Sequence, residues 1–96
     1  MALAVEVDKE DASYIIERIA SLKTIMKNYS EAMVDYSKTI ELNPNYTVAY
    51  VSRAELKYFL NDLSGACEDW RKASSQDPSD YGSGKNARKE IKKYCN

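Results

Sequence analysis

Apolar residues recur along this chain at steps of three and four, with no stretch of the strict alternation that marks a half-buried strand. Ile15, Ile16, Ile19, Leu22 and Met26 make one helical stripe. Asp8 and Asp11 ahead of it supply an N-terminal cap with an acidic third position. Asn28, with Glu31 three residues on, starts a second helix whose inner face is Ala32, Met33, Tyr36 and Ile40. Asn43-Pro44-Asn45 stops it, because proline disfavours helical backbone in the residue before it. Val48, Tyr50, Val51, Ala54, Leu56, Tyr58 and Phe59 populate a third helix, and Asn61-Asp62 turns the chain. Ala66, Cys67, Trp70 and Ala73 line a fourth, which ends at Asp77-Pro78. After a Gly/Ser turn, Ala87, Ile91, Tyr94 and Cys95 fall at i, i+4, i+7 and i+8, with Arg88, Lys89, Lys92 and Lys93 on the other faces. Such a helix can cover a last repeat and present a polar outer surface. The expected fold is all-α: five antiparallel helices stacked as a short right-handed superhelix.

The pattern repeats. Pro44 and Pro78 are 34 residues apart. The same offset superposes Ala20 on Ala54, Leu22 on Leu56, Lys23 on Lys57, Ser30 on Ser64, Ala32 on Ala66, Asp35 on Asp69 and Lys38 on Lys72. Similar residues follow in register: Ile25 with Phe59, Met26 with Leu60, Asn28 with Asp62, Tyr36 with Trp70 and Asn43 with Asp77. The chain divides into an N-terminal segment (1–12), two units (13–46 and 47–80) and a capping helix (81–96).

A 34-residue helix–turn–helix with these residues resembles the tetratricopeptide repeat family. The resemblance implies small residues where paired helices touch most closely, here Ala20, Ala32 and Thr39, then Ala54, Ala66 and Ala73. It places the large residue of each first helix at Ile16 and Tyr50, and of each second helix at Tyr36 and Trp70. The sequence departs from the family pattern in four places. Alanine stands for the usual mid-helix glycine in both units. Lys23 and Lys57 stand where an aromatic is common, and Arg53 where leucine is expected. Polar Ser74, Ser75 and Gln76 leave the end of the fourth helix open to fraying.

The stretch GACEDWRKA (65–73) gathers a thiol, two carboxylates, the only tryptophan and a basic pair. Helical spacing sorts it into a packing face (Ala66, Cys67, Trp70, Ala73) and outer faces carrying Glu68, Asp69, Arg71 and Lys72, with Glu68 and Lys72 as an i, i+4 ion pair. Its counterpart one repeat earlier has Met33 in place of the thiol, so the stretch reads as architecture with a buried Trp70. The chain has no histidine, the commonest general base and metal ligand. Two cysteines cannot close a tetrahedral zinc site, and no phosphate-binding glycine loop is present. An enzyme is not expected, nor a cofactor or metal. The two cysteines read most simply as free and buried, with a Cys67–Cys95 disulfide as the alternative.

Net charge is −1 over 96 residues, which gives no global attraction to nucleic acid or anionic membrane. The lysines of the last helix complement its dipole, so neither nucleic acid nor membrane is the expected partner. No leader is visible, and the expected location is cytoplasmic. In the tetratricopeptide family the first helix of each pair lines a concave groove. Mapped here, that gives Tyr14, Glu17, Arg18, Ser21 and Ile25, then Val48, Val51, Ser52, Glu55, Tyr58 and Phe59. The cationic clamp of the chaperone-binding members has no counterpart, since Glu17 and Glu55 fall on its positions. The expected function is protein or peptide binding in this groove, with apolar anchors against Val48, Val51, Tyr58 and Phe59. The alternatives are cover by the chain's own MALAVEV segment, and self-association as a homodimer or assembly within a larger protein.

Overall fold

The computed structural model describes residues 8–95; the MALAVEV segment lies outside them. Among the described residues there are five helices and no strand: α1 (Lys9–Ile25), α2 (Tyr29–Leu42), α3 (Thr47–Phe59), α4 (Leu63–Gln76) and α5 (Ser83–Tyr94). Connections of three to six residues make consecutive helices antiparallel neighbours. The all-α expectation and the helix count hold.

Each helix begins and ends for a local reason. The Asp8 side chain accepts from the Glu10 N–H at 3.0 Å and caps α1. Asp62 accepts from the Gly65 N–H at 2.9 Å and caps α4. Asn28 precedes α2 without a side-chain cap bond. The α1–α2 and α3–α4 turns are built alike, on Lys27 (φ 64°) and Asn61 (φ 69°), one repeat apart. In both, paired amides reach back over the last turn: Asn28 to the Lys23 carbonyl, and Asp62 to that of Lys57. This left-handed position is natural for glycine and tolerable for asparagine, but costs a lysine. Relief of the left-handed strain, roughly 1–2 kcal/mol, outweighs the chain entropy that glycine adds, so Lys27→Gly is expected to stabilise the protein by about 0.5–1 kcal/mol, and Asn61→Gly by less. Paired urea titrations check this, and a loss of stability in Lys27→Gly would count against it.

Alanine lets the helices approach. Ala20 and Ala32 in the first unit, and Ala54, Ala66 and Ala73 in the second, are fully buried. Tyr36, Tyr29 and Met33 fill the first core and Trp70 and Tyr50 the second. Leu56 of α3 packs into the first core and Ile40 of α2 against the second, so the units share contacts. Thr39 is fully buried and donates to the Asp35 carbonyl at 2.8 Å, so its extra polar atom is satisfied.

Five sequence expectations need correction. The stripe on α1 is mostly outside: Ile15, Ile19, Leu22 and Met26 are exposed, because among the described elements α1 packs mainly on α2 and touches α3 lightly. Asp69 is not an outer-face residue. It is buried between Arg53 and Lys57 of α3, at 2.7 and 3.1 Å. Glu68 and Lys72 form no ion pair among the described residues; the third pair is Lys23–Asp35, the repeat counterpart of Lys57–Asp69. The polar end of α4 is clipped rather than frayed, since Gln76 donates to the Pro44 carbonyl at 2.6 Å and accepts from Thr47 at 3.0 Å. Finally, Cys67 and Cys95 are joined as a disulfide. Docking of α5 on α4 brings together two thiols that sequence separation kept apart.

The α4–α5 loop is organised by Asp77 and Arg88. The Asp77 carboxylate accepts from the Ser79 hydroxyl (2.6 Å), the Ser79 amide (3.2 Å) and the Gly84 amide (3.0 Å). Arg88 donates to the carbonyls of Asp77, at 2.9 Å, and of Ser79. A Cβ on Gly84 would overlap the Asp77 carbonyl, so only glycine fits there. The hydrogen bond from the Ser79 side chain, then the Gly84 and Ser79 amides, hold the Asp77 carboxyl below its ordinary value. A depressed folded pKa adds stability that is fully present above the unfolded value, about 3.9, and is lost as pH falls through the folded one. Wild type is thus expected to be more stable than Asp77→Asn at pH 6, with the gap closing below about pH 4. Melting curves of both proteins from pH 7 to pH 2.5 check it, and a gap independent of pH would refute the assignment.

Candidate functional site

The first helices of the two units, α1 and α3, flank a cavity of about 360 Å³ floored by α2. From the expected groove it gathers Ser21 and Ile25 of α1 and Ser52, Glu55 and Phe59 of α3. Thr24, Tyr29, Tyr36 and Leu56 complete the lining. Sequence reasoning assigned Tyr36 and Leu56 to packing. Their type carried the missing signal in one case: a tyrosine buries its ring and keeps a polar tip. The Tyr36 hydroxyl lies 3.1 Å from the Ser21 hydroxyl, at the cavity wall.

The other expected residues are distributed differently. Tyr14, Arg18 and Val48 are exposed but do not line this cavity. Glu17 is only 5% exposed, and its Oε1 accepts from the Ser21 hydroxyl at 3.2 Å. Val51 packs against the second core. The Tyr58 ring lies 4.5 Å from Tyr94 and 6.0 Å from Trp70, centroid to centroid. The apolar patch expected from Val48, Val51, Tyr58 and Phe59 is therefore divided: Phe59 serves the cavity, while Val51 and Tyr58 meet α5 and the core beneath it.

Anchors and polar groups both reach the opening. Ile25 is 76% and Phe59 63% exposed, and the Phe59 ring lies 5.1 Å from Tyr29. Burial, then the nearby Glu90 carboxylate on α5, pushes the Glu55 carboxyl above its ordinary value. Hydrogen bonding to Tyr94, then burial, pushes the Tyr58 hydroxyl up. Such a surface has apolar seats for side chains, and hydroxyls and a carboxylate for amides. Both thiols are joined in the disulfide. Among the described residues no group of three or more acidic or cysteine side chains is placed to hold a metal, and no helix is long and apolar enough to cross a membrane.

A larger depression, about 860 Å³, lies along α2 beside the α3–α4 turn, over Met33, Val34, Leu42 and Leu60 with Lys38 and Glu41 at its rim. It draws on one unit's second helix rather than on both first helices.

No family model matches the chain. It is 37% identical over 68 residues to RNA polymerase II-associated protein 3 of Xenopus tropicalis, covering 71% of this chain and 10% of that protein. It is 30% identical over 77 residues to Protein SGT1 homolog of Bos taurus, covering 80% of this chain and 22% of that protein. The chain thus corresponds to about a tenth and a fifth, respectively, of the lengths of these two relatives.

Proposed function

We propose that this chain is a non-catalytic module of tetratricopeptide type that holds a peptide or partner helix between α1 and α3. One observation carries the reading. Residues one repeat apart, Ile25 and Phe59, stand exposed on the two sides of one cavity whose wall also offers Ser21, Tyr36, Ser52 and Glu55. Exposed apolar groups rimmed by polar ones mark interaction surfaces. Two features support it: the 34-residue repeat, and similarity to a protein named for its association with RNA polymerase II. Selection from a displayed peptide library tests it. Selected peptides are expected to lose at least tenfold in affinity for Phe59→Ala and for Ile25→Glu, and to bind Val34→Glu on α2 normally. Peptides indifferent to both groove changes would sink the assignment.

The exposed row Ile15, Ile19, Leu22 and Met26 on α1 favours a second reading, self-association through that helix. Light scattering over a concentration series distinguishes the two. A dimer abolished by Leu22→Glu, with peptide binding intact, would assign this face to a second copy.

A further inference from the structure

We propose that the Cys67–Cys95 disulfide gates the α5 end of the groove. Oxidised, it holds Tyr94 over Tyr58; reduced, it lets the last turn of α5 leave and opens an aromatic subsite beside Phe59. The gate rests on the groove reading above and names a regulation of that same site.

The two ends of α5 are held by unlike means. Its start is fixed by polar bonds: Gly84 to the Asp77 carboxylate, and Arg88 to the carbonyls of Asp77 and Ser79. Ala87, fully buried, anchors the same end. Its last turn has no such network; its polar tie to α3 is that of Tyr94 to Tyr58. Ile91, Tyr94 and Cys95 are only partly buried against the second core, and Lys92 and Lys93 are exposed. What fixes that turn covalently is the bond from Cys95 to Cys67, near the start of α4. Helix ends with few buried contacts open first.

What the turn covers gives its opening a consequence. Tyr94 lies 4.5 Å from Tyr58 and, nearly parallel, 6.1 Å from Trp70. Tyr58 stands one turn beyond Glu55 on the same side of α3, and Glu55 lines the cavity. Moving Tyr94 aside therefore lengthens the groove by one aromatic seat. Trp70 below it carries a buried indole N–H with no acceptor among the described residues, so a subsite opened there has an unused donor nearby.

The chemistry is thiol–disulfide exchange with a dithiol reductant. A reductant thiolate attacks the sulfur of Cys95, the more exposed of the two. The S–S bond breaks and Cys67 leaves as a thiolate that takes up a proton. The second reductant thiol then displaces Cys95 from the mixed disulfide. Two electrons pass to the protein, leaving two thiols and an oxidised reductant.

Hydrogen exchange on the oxidised and dithiothreitol-reduced protein tests the motion, and the affinity of peptides selected from a displayed library on the reduced protein tests its effect. Reduction is expected to cost the amides of Ile91 to Cys95 at least tenfold in protection, leaving α1 to α4 unchanged. Oxidation is expected to weaken Phe59-dependent peptides at least tenfold. Tyr94→Ala, which keeps the disulfide and removes the lid, is expected to bind as the reduced protein does in either state. Equal protection of the last turn in both states would overturn the gate. So would loss of protection throughout α1 to α4, which would make the disulfide a structural staple. Phe59-dependent peptides with equal affinity in both states would overturn the gate and leave the groove reading standing. An opened turn with no Phe59-dependent peptide in either state would overturn the groove reading instead.

Discussion

Asp69→Ala is expected to cost about 3–5 kcal/mol, a large share of the roughly 5–15 kcal/mol available to a domain. Asp35→Ala, the same substitution one repeat earlier, is expected to cost about 1 kcal/mol or less. The chemistry is shared, and burial separates the two. Asp69 takes Nε and Nη2 of Arg53 on its two oxygens, at 2.7 and 2.8 Å, and Lys57 at 3.1 Å, with its side chain 4% exposed. Deleting it strands two half-buried cations between α3 and α4. Arg53 also donates to Ser37 of α2 at 3.2 Å, so the damage reaches the contact between units. Asp35 holds Lys23 alone, at 2.7 Å, and both side chains keep water, at 19% and 29% exposed. Urea unfolding followed by Trp70 fluorescence measures both. Asp69→Asn should fall between wild type and alanine, since it keeps an acceptor and loses the charge. Equal costs at positions 35 and 69 would show that burial does not set the strength of these pairs.

This pair also shows where sequence reasoning stops. The identities Lys23/Lys57 and Asp35/Asp69 stand out once the chain is slid by 34 residues, but what those residues touch does not. Helical spacing gives an angle about a helix's own axis and says nothing of where neighbouring helices lie. Trp70 and Asp69 are adjacent in sequence, and both are buried: one faces the alanine-lined core, the other is roofed by Arg53 and Lys57. The row on α1 shows the converse. Its period is as regular as that of a core face, yet most of it faces outward, because periodicity marks a stripe without supplying a partner. Helix ends were legible because capping and proline effects are local. The cysteine pairing was not, since it depends on how α5 docks. Of the positions that the family resemblance implied for a groove, Ser21, Ile25, Ser52, Glu55 and Phe59 line the cavity, while the inward settlement of Glu17 and the hydroxyl contact of Tyr36 depend on packing between helices.

Trp70→Ala is expected to cost about 3–5 kcal/mol and to loosen α5 along with the second core. The indole is 1% exposed and lies in one cluster with Tyr50, Ala54, Ala66, Cys67, Ala73 and Ala87. The alanines cannot move to fill the space, because their smallness already sets how closely the helices lie. The cavity would therefore persist, and a persisting cavity adds its own cost to the lost burial. Tyr94 would lose the ring it stacks on, and with it much of what the last turn of α5 rests against. Trp70→Phe isolates the size of the ring from its polar atom. The indole N–H has no acceptor among the described residues, so phenylalanine gives up no hydrogen bond and relieves an unpaired buried donor, a group that costs about 1–3 kcal/mol. Its net cost is expected to be no more than about 1.5 kcal/mol. Both variants remove the only tryptophan, so far-UV circular dichroism in urea is the measurement. A Trp70→Ala cost no larger than that of Trp70→Phe would mean that the alanine-lined interface can collapse onto the gap, and that close helix approach is not what fixes this core.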